Sequence, residues 1–154
     1  MNKTAHDEKK PDVNNYGLLH HNVFIVWKPE YNLGIHIVDE HHRGIVSTIN
    51  SLYYGMQHKH GASLLKPITD MVYDYTRIHF EVEEYFLDKC NFPGIKGHRF
   101  LHTELMDELQ KVGRQSILHR DPYEFMDFLK QWWIDHICDK DRLFRDYLVN
   151  NVRL

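Results

Sequence analysis

Residues 79–102 read HFEVEEYFLDKCNFPGIKGHRFLH. Two helical segments flank the breaker Asn91-Phe92-Pro93-Gly94. On the first, His79 and Glu83 are four apart; on the second, His98 and His102 are four apart. Residues at that spacing lie one turn apart on one helix face. Each pair can therefore reach a single metal ion. The apolar repeat says where the pairs point. His79 and Glu83 share a stripe with Val72, Tyr75, Val82 and Phe86, and His98 and His102 share one with Leu101, Leu105 and Leu109. Both pairs face a core.

Working outward, the same repeat predicts four helices and no strand of any length. Helix A covers residues 39–58, with His42, Ile45, Val46, Ile49, Leu52, Tyr53 and Met56 inward. Helix B covers 64–89, with Ser63 as its cap and Pro67 in its first turn, where no N–H is lost. Helix C covers 95–112 and ends at Gly113. Helix D opens on Asp121-Pro122-Tyr123-Glu124, a cap residue, a first-turn proline and a glutamate three residues after the cap. It runs to about Leu148, with Phe125, Phe128, Leu129, Trp132, His136, Ile137 and Phe144 inward. Short links between long helices imply an all-α, up-down-up-down four-helix bundle. Residues 1–22 are polar and read as a flexible tail that includes His20 and His21; 23–154 form the domain. Phe24-Ile25-Val26-Trp27, closed by Pro29, is expected to lie across the bundle as an extended cover segment.

Composition narrows the function. A chain of 154 residues with 42% apolar and 27% charged residues suits one globular domain. A net charge of -3 argues against a nucleic-acid surface. No apolar run reaches the ~20 residues of a membrane span. The N-terminus has no apolar signal core, so the expected location is the cytoplasm. Two cysteines, Cys90 and Cys138, do not make a disulfide framework.

Histidine is in surplus, at 13. Surface histidines belong on polar faces, yet His42, His79, His98, His102 and His136 fall on apolar stripes, with Glu83 and Asp141 at or beside them. A single buried histidine is ordinarily a hydrogen-bonded core residue, and a single edge glutamate is ordinarily solvated. Four helices that all aim imidazole or carboxylate inward are another matter. Burying those carboxylates without partners is very costly, and a bound cation removes the cost. His136 and Asp141 fit less well: five residues apart, they sit about 140° around an ideal helix.

At this point the chain resembles the hemerythrin family. The matching pieces are Trp27 with Gly34-Ile35, Asp39-Glu40-His41-His42 with Ile49-Asn50, His79-Phe80-Glu81-Val82-Glu83-Glu84, the Asn-Phe-Pro-Gly turn, His98-Arg99-Phe100-Leu101-His102, and Trp132-Trp133-Ile134-Asp135-His136-Ile137 followed by Asp141. The ordered set spans residues 24–148. It looks like a single-domain bacterial hemerythrin. The resemblance implies two iron ions held by His42, His79, Glu83, His98, His102, His136 and Asp141. His98, His102 and His136 would bind one iron, and His42 and His79 the other. Glu83, Asp141 and a solvent-derived oxo or hydroxo group would bridge them. Counting then leaves the second iron five-coordinate, and dioxygen would bind there as a hydroperoxide.

The family usually has Gln before the helix A ligand; here it is His41, which is expected at the rim because His42 keeps step with Ile45 and Ile49. Trp132, Trp133 and Ile137 are expected near the oxygen pocket. The family usually has leucine at the position of Trp133, which is either a changed packing residue or a gate. Tyr75 reads as core or as a neighbour of the ligands. Glu84 reads as a surface carboxylate or a partner of a ligand. Cys138 reads as a plain helix residue or a redox switch. His36, His58, His60 and His119 lack partner spacing and read as solvated.

The resemblance favours a non-enzymatic dioxygen carrier, store or supplier. Five neutral imidazoles and two carboxylates supply less anionic charge than the four-glutamate set of ferritin-like oxidases, which favours stopping before O–O cleavage. The alternatives are an oxygen or redox sensor acting through a partner protein, a di-iron peroxidase or nitric-oxide scavenger, and iron storage or a zinc-filled bundle. The three-against-two division of histidines argues against zinc, which prefers closed tetrahedral sites.

Overall fold

The computed structural model describes residues 23–151. The expected tail, residues 1–22, lies outside the described residues. Three helices come first: α1 (His36–Gln57), α2 (Gly61–Lys89) and α3 (Ile95–His119). The fourth rod has three parts: α4 (Pro122–Trp132), a π-helical segment (Trp133–Lys140) and α5 (Asp141–Asn151). α1 packs on α2, α2 on α3, α3 on α4, and α4 back on α1. The result is the expected four-helix bundle, with no strand among the described residues.

Two apolar clusters fill the interior. The larger holds Ile45, Ile49, Leu52, Leu65, Phe125 and Leu129. The smaller holds Leu33, Ile35, Val38, Leu87 and Phe144. Val38 and Ile45 flank His42 along α1, and Leu87 and Phe144 follow Glu83 and Asp141 by about one turn. The inward polar residues therefore sit between two dry plugs. Several expected core residues (Tyr53, Met56, Tyr75, Val82, Phe86, Leu101, Leu105 and Phe128) are half-buried instead, while Phe80, Leu87 and Met126 are buried without having been expected.

The helix ends depart from expectation in physically readable ways. α1 starts at His36, three residues early, because Asp39 turns back: its carboxylate accepts from the backbone N–H of Leu33 at 2.6 Å and of Gly34 at 3.2 Å. α2 starts at Gly61, so Ser63 is not its cap; the Ser63 hydroxyl donates to the His60 carbonyl at 2.8 Å. Pro67 consequently stands inside the helix, beyond its first turn. α3 runs through Gly113 and stops at Arg120, which adopts a left-handed φ of 57°. The expected start of the fourth rod is correct, with Asp121 accepting from the Tyr123 N–H at 2.9 Å.

Gly113 does not end α3 because it is a packing residue. A Cβ there would lie 2.5 Å from Cγ2 of Thr69. Thr69 cannot swing away freely, since its hydroxyl donates to the Leu65 carbonyl at 2.7 Å. The absence of a side chain lets α2 and α3 approach, which offsets the ~1 kcal/mol propensity cost of glycine.

The cover segment takes its expected place. Asn50 on α1 clips it: the side-chain oxygen accepts from the N–H of Phe24 at 3.0 Å and of Ile25 at 2.9 Å, and the side-chain nitrogen donates to the Ile25 carbonyl at 2.8 Å. Trp27 then meets the edge of Trp133, with Arg43 over its face at 4.8 Å.

Gly113→Leu should lower unfolding stability by about 1–3 kcal/mol despite the better helix propensity of leucine. Urea unfolding followed by circular dichroism measures it; an unchanged midpoint would show that the α2–α3 approach does not need glycine.

Candidate metal centre

Each rod delivers its polar residues by ordinary helical spacing, except the fourth. His136 and Asp141 are aligned by the π turn, in which bonds run from residue i to i+5. The Asp141 N–H donates to the His136 carbonyl. The pair thus lies one turn apart on one face, rather than the 140° apart of a regular helix. This local widening was not expected from the sequence. Its only signal was the five-residue spacing itself.

The seven inward residues converge. Glu83, His98, His102 and His136 bring ligand atoms within 4.8 Å of one another, and so do His42, His79 and Asp141. All seven are buried. Each carboxylate faces both groups. Glu83 Oε1 is 2.8 Å from His98 Nε2, while its Oε2 is 3.3 Å from His79 Nε2. Asp141 Oδ1 is 3.4 Å from His136 Nε2, while its Oδ2 is 3.4 Å from His42 Nε2. His42 and His79 approach each other at 3.2 Å through Nε2.

The arrangement is unfinished as a hydrogen-bond network. Oε2 of Glu83, both carboxylate oxygens of Asp141, and Nε2 of His102 and His136 are buried without a hydrogen-bond partner. Such orphans are rare, and each costs about 1–3 kcal/mol, more for a charged group. They all point into one space, and all are electron-pair donors. That is what a pair of bound cations would satisfy, so the residues fit a metal centre.

Residues 33–148 match the family model of the hemerythrin HHE cation binding domain. The chain belongs to the hemerythrin family. A bacteriohemerythrin of Stenotrophomonas maltophilia is 27% identical over 123 residues, covering 79% of this chain and 80% of that protein. One from Clostridium acetobutylicum is 28% identical over 127 residues, covering 79% and 98%. A hemerythrin of Sipunculus nudus is 27% identical over 123 residues, covering 80% and 92%. No helix among the described residues is long and apolar enough to cross a membrane.

Around these seven residues, the remaining residues of interest find distinct places. His41 joins neither group; it is half-buried, with its ring edge-on to Tyr75 at 5.6 Å and to His79 at 6.0 Å. Trp132 lies parallel to His136 at 6.5 Å, and Ile137 is buried beside it. Trp133 is buried, and its ring meets Trp27 and Tyr31 edge-on at 6.1 and 5.5 Å. These contacts support the packing reading over the gate. Phe80 stacks flat on His102 at 3.6 Å, a wall that sequence reasoning missed although the residue follows His79 directly. Burial pushes the Cys138 thiol up, away from a reactive thiolate. His36, His58, His60 and His119 are exposed.

Electrostatics set the sign of pH effects in the metal-free domain. Burial, then repulsion from neighbouring imidazoles, holds His79 well below its ordinary range. His98 is lowered to about 4, by burial and His136 against an opposing pull from Asp141. Burial also lowers His102 and His136. These groups stay neutral, which is the ligand form. Glu83 moves the other way, raised well above the usual carboxylate range by burial, then by Asp141 and Glu84.

Two pH effects follow for the metal-free protein. The lowered histidines make the unfolded chain bind more protons as pH falls below about 6.5, so stability is lost from there down towards pH 4. The raised Glu83 makes the folded chain hold a proton that the unfolded chain releases, so its contribution is lost as pH rises above about 4.5. Glu83→Gln should therefore stabilise the metal-free domain at pH 7, by about 1–3 kcal/mol, while abolishing uptake of a full metal complement. Thermal unfolding with and without metal, beside metal analysis, checks both. A destabilised metal-free variant would contradict the assignment.

Proposed function

We propose that this domain holds two iron ions and binds dioxygen reversibly, serving carriage, storage or supply rather than catalysis. One observation carries the reading: seven buried donors divide into three histidines against two, with one oxygen of each carboxylate facing each side. Bound iron would supply two electrons to dioxygen and recover them on release.

The protein's own residues shape that chemistry. His98, His102 and His136 would hold one metal, and Glu83 and Asp141 would be shared with the other. His42 and His79 would leave the second position one donor short, and a small ligand would bind there. Beside five imidazoles, only two carboxylates supply anionic charge, so the set favours returning electrons over cleaving dioxygen. The apolar plugs above and below keep water from the centre, which slows loss of bound ligand and oxidation of the metal. The names of the relatives, bacteriohemerythrin and hemerythrin, accord with this reading.

Loading with ferrous iron under argon should give two iron per chain and a nearly colourless protein. Air should bring colour, and vacuum should remove it again through several cycles. Irreversible bleaching, or steady turnover of peroxide or nitric oxide, would overturn the proposal in favour of an enzyme.

A further inference from the structure

Of the seven converging residues, His102 is held in a way the others are not. Its Nδ1 lies 2.8 Å from Oε1 of Glu84. Its opposite nitrogen, Nε2, is buried without a hydrogen-bond partner and lies 3.9 Å from Oε2 of Glu83. A carboxylate only accepts, so the Nδ1 position must carry the proton. Nε2 then presents its lone pair to the centre, which is the tautomer a metal needs. Phe80 clamps the ring face with an interplanar angle of 4°. Rotation about χ2 is thus opposed on the flat side and pinned at the edge.

Glu84 is itself held in place. Its other oxygen, Oε2, accepts from Nε of Arg99 at 3.2 Å, and Arg99 reaches Asp88 with Nη2 at 3.5 Å. Glu84 keeps a quarter of its side chain exposed, at the solvent side of the bundle. Among the described residues no such anchor holds the two-histidine side: Nδ1 of His42 and Nδ1 of His79 are buried without a partner.

We propose that Glu84 is a positioning residue that fixes the tautomer of His102 and places negative charge behind the three-histidine side of the centre only. A carboxylate behind a ligating imidazole makes the ring a better donor. The three-histidine position therefore binds its metal more tightly, and its iron is held more strongly in the oxidised state. Arg99 sets how much of the carboxylate's charge reaches the ring. This inference rests on the iron-binding reading above.

The test uses the whole chain with Glu84→Ala, Glu84→Gln and Arg99→Gln. Ferrous iron affinity is read under argon by competition with a chromophoric chelator, and the reduction potential of the loaded protein by spectroelectrochemistry. Glu84→Ala should weaken uptake at one of the two positions by about 10–100-fold. Glu84→Gln keeps an acceptor oxygen but no charge, so it should retain most of the affinity and shift the potential upward. Arg99→Gln, which leaves the carboxylate uncompensated, should shift it downward. A side chain with only a structural role would not move the potential in opposite directions. Potentials that stay at the wild-type value in both Glu84→Gln and Arg99→Gln overturn the inference, and this pair decides it if Glu84→Ala does not fold. Wild-type protein that takes up iron but never binds dioxygen reversibly would overturn the proposed function while leaving this comparison intact. Wild-type protein that takes up no iron would end both.

Discussion

Two carboxylates, Glu83 and Asp141, are fully buried at the middle of the bundle, and among the described residues no lysine or arginine pairs with either. Carboxylates in such a position are normally neutralised, paired or bound to metal. Most of the imidazoles beside them bring no compensating charge, because burial keeps His79, His98, His102 and His136 neutral. A pair of cations would resolve the whole arrangement at once. It would supply the missing charge, use the orphaned lone pairs, and explain why each carboxylate turns one oxygen to each histidine group. A metal bound there would therefore contribute to folding stability as well as to chemistry.

The scaffold is organised to keep that polar centre dry and rigid. Apolar clusters close it at both ends, and the cover segment, clipped by Asn50, ties Trp27 to Trp133. The fourth rod departs from regular geometry only where it must bring His136 and Asp141 together. A π turn lengthens the helix by a fraction of a turn and redirects every residue that follows, so Phe144 still reaches the smaller plug. Function has here been given precedence over ideal helical hydrogen bonding, as is common for π segments.

Much of this was legible in the residues. Spacing of four on one face identified the pairs His79/Glu83 and His98/His102, and the apolar repeat aimed them inward. His42 over His41 followed from its step with Ile45 and Ile49, and the structure brings His42, not His41, to the centre. Other features were not legible, for reasons that can be named. Regular helical geometry set His136 and Asp141 apart, because periodicity assumes one helix type throughout. Gly113 was read as a terminator, because local propensity does not register that Thr69 packs across from it. The start of α1 was misplaced because Asp39 caps from inside the helix, through Leu33 and Gly34, rather than from its first position. Glu84 carried two readings in sequence; only the fold shows its oxygen on His102.

The central claim is that these seven side chains hold two metal ions with unequal histidine shares. Anomalous diffraction at the iron absorption edge, on crystals of the ferrous-loaded protein, tests it most directly. Two peaks per chain are expected, one bounded by His98, His102 and His136 and the other by His42 and His79, with Glu83 and Asp141 between them. A single peak, or iron held by residues outside this set, would contradict it.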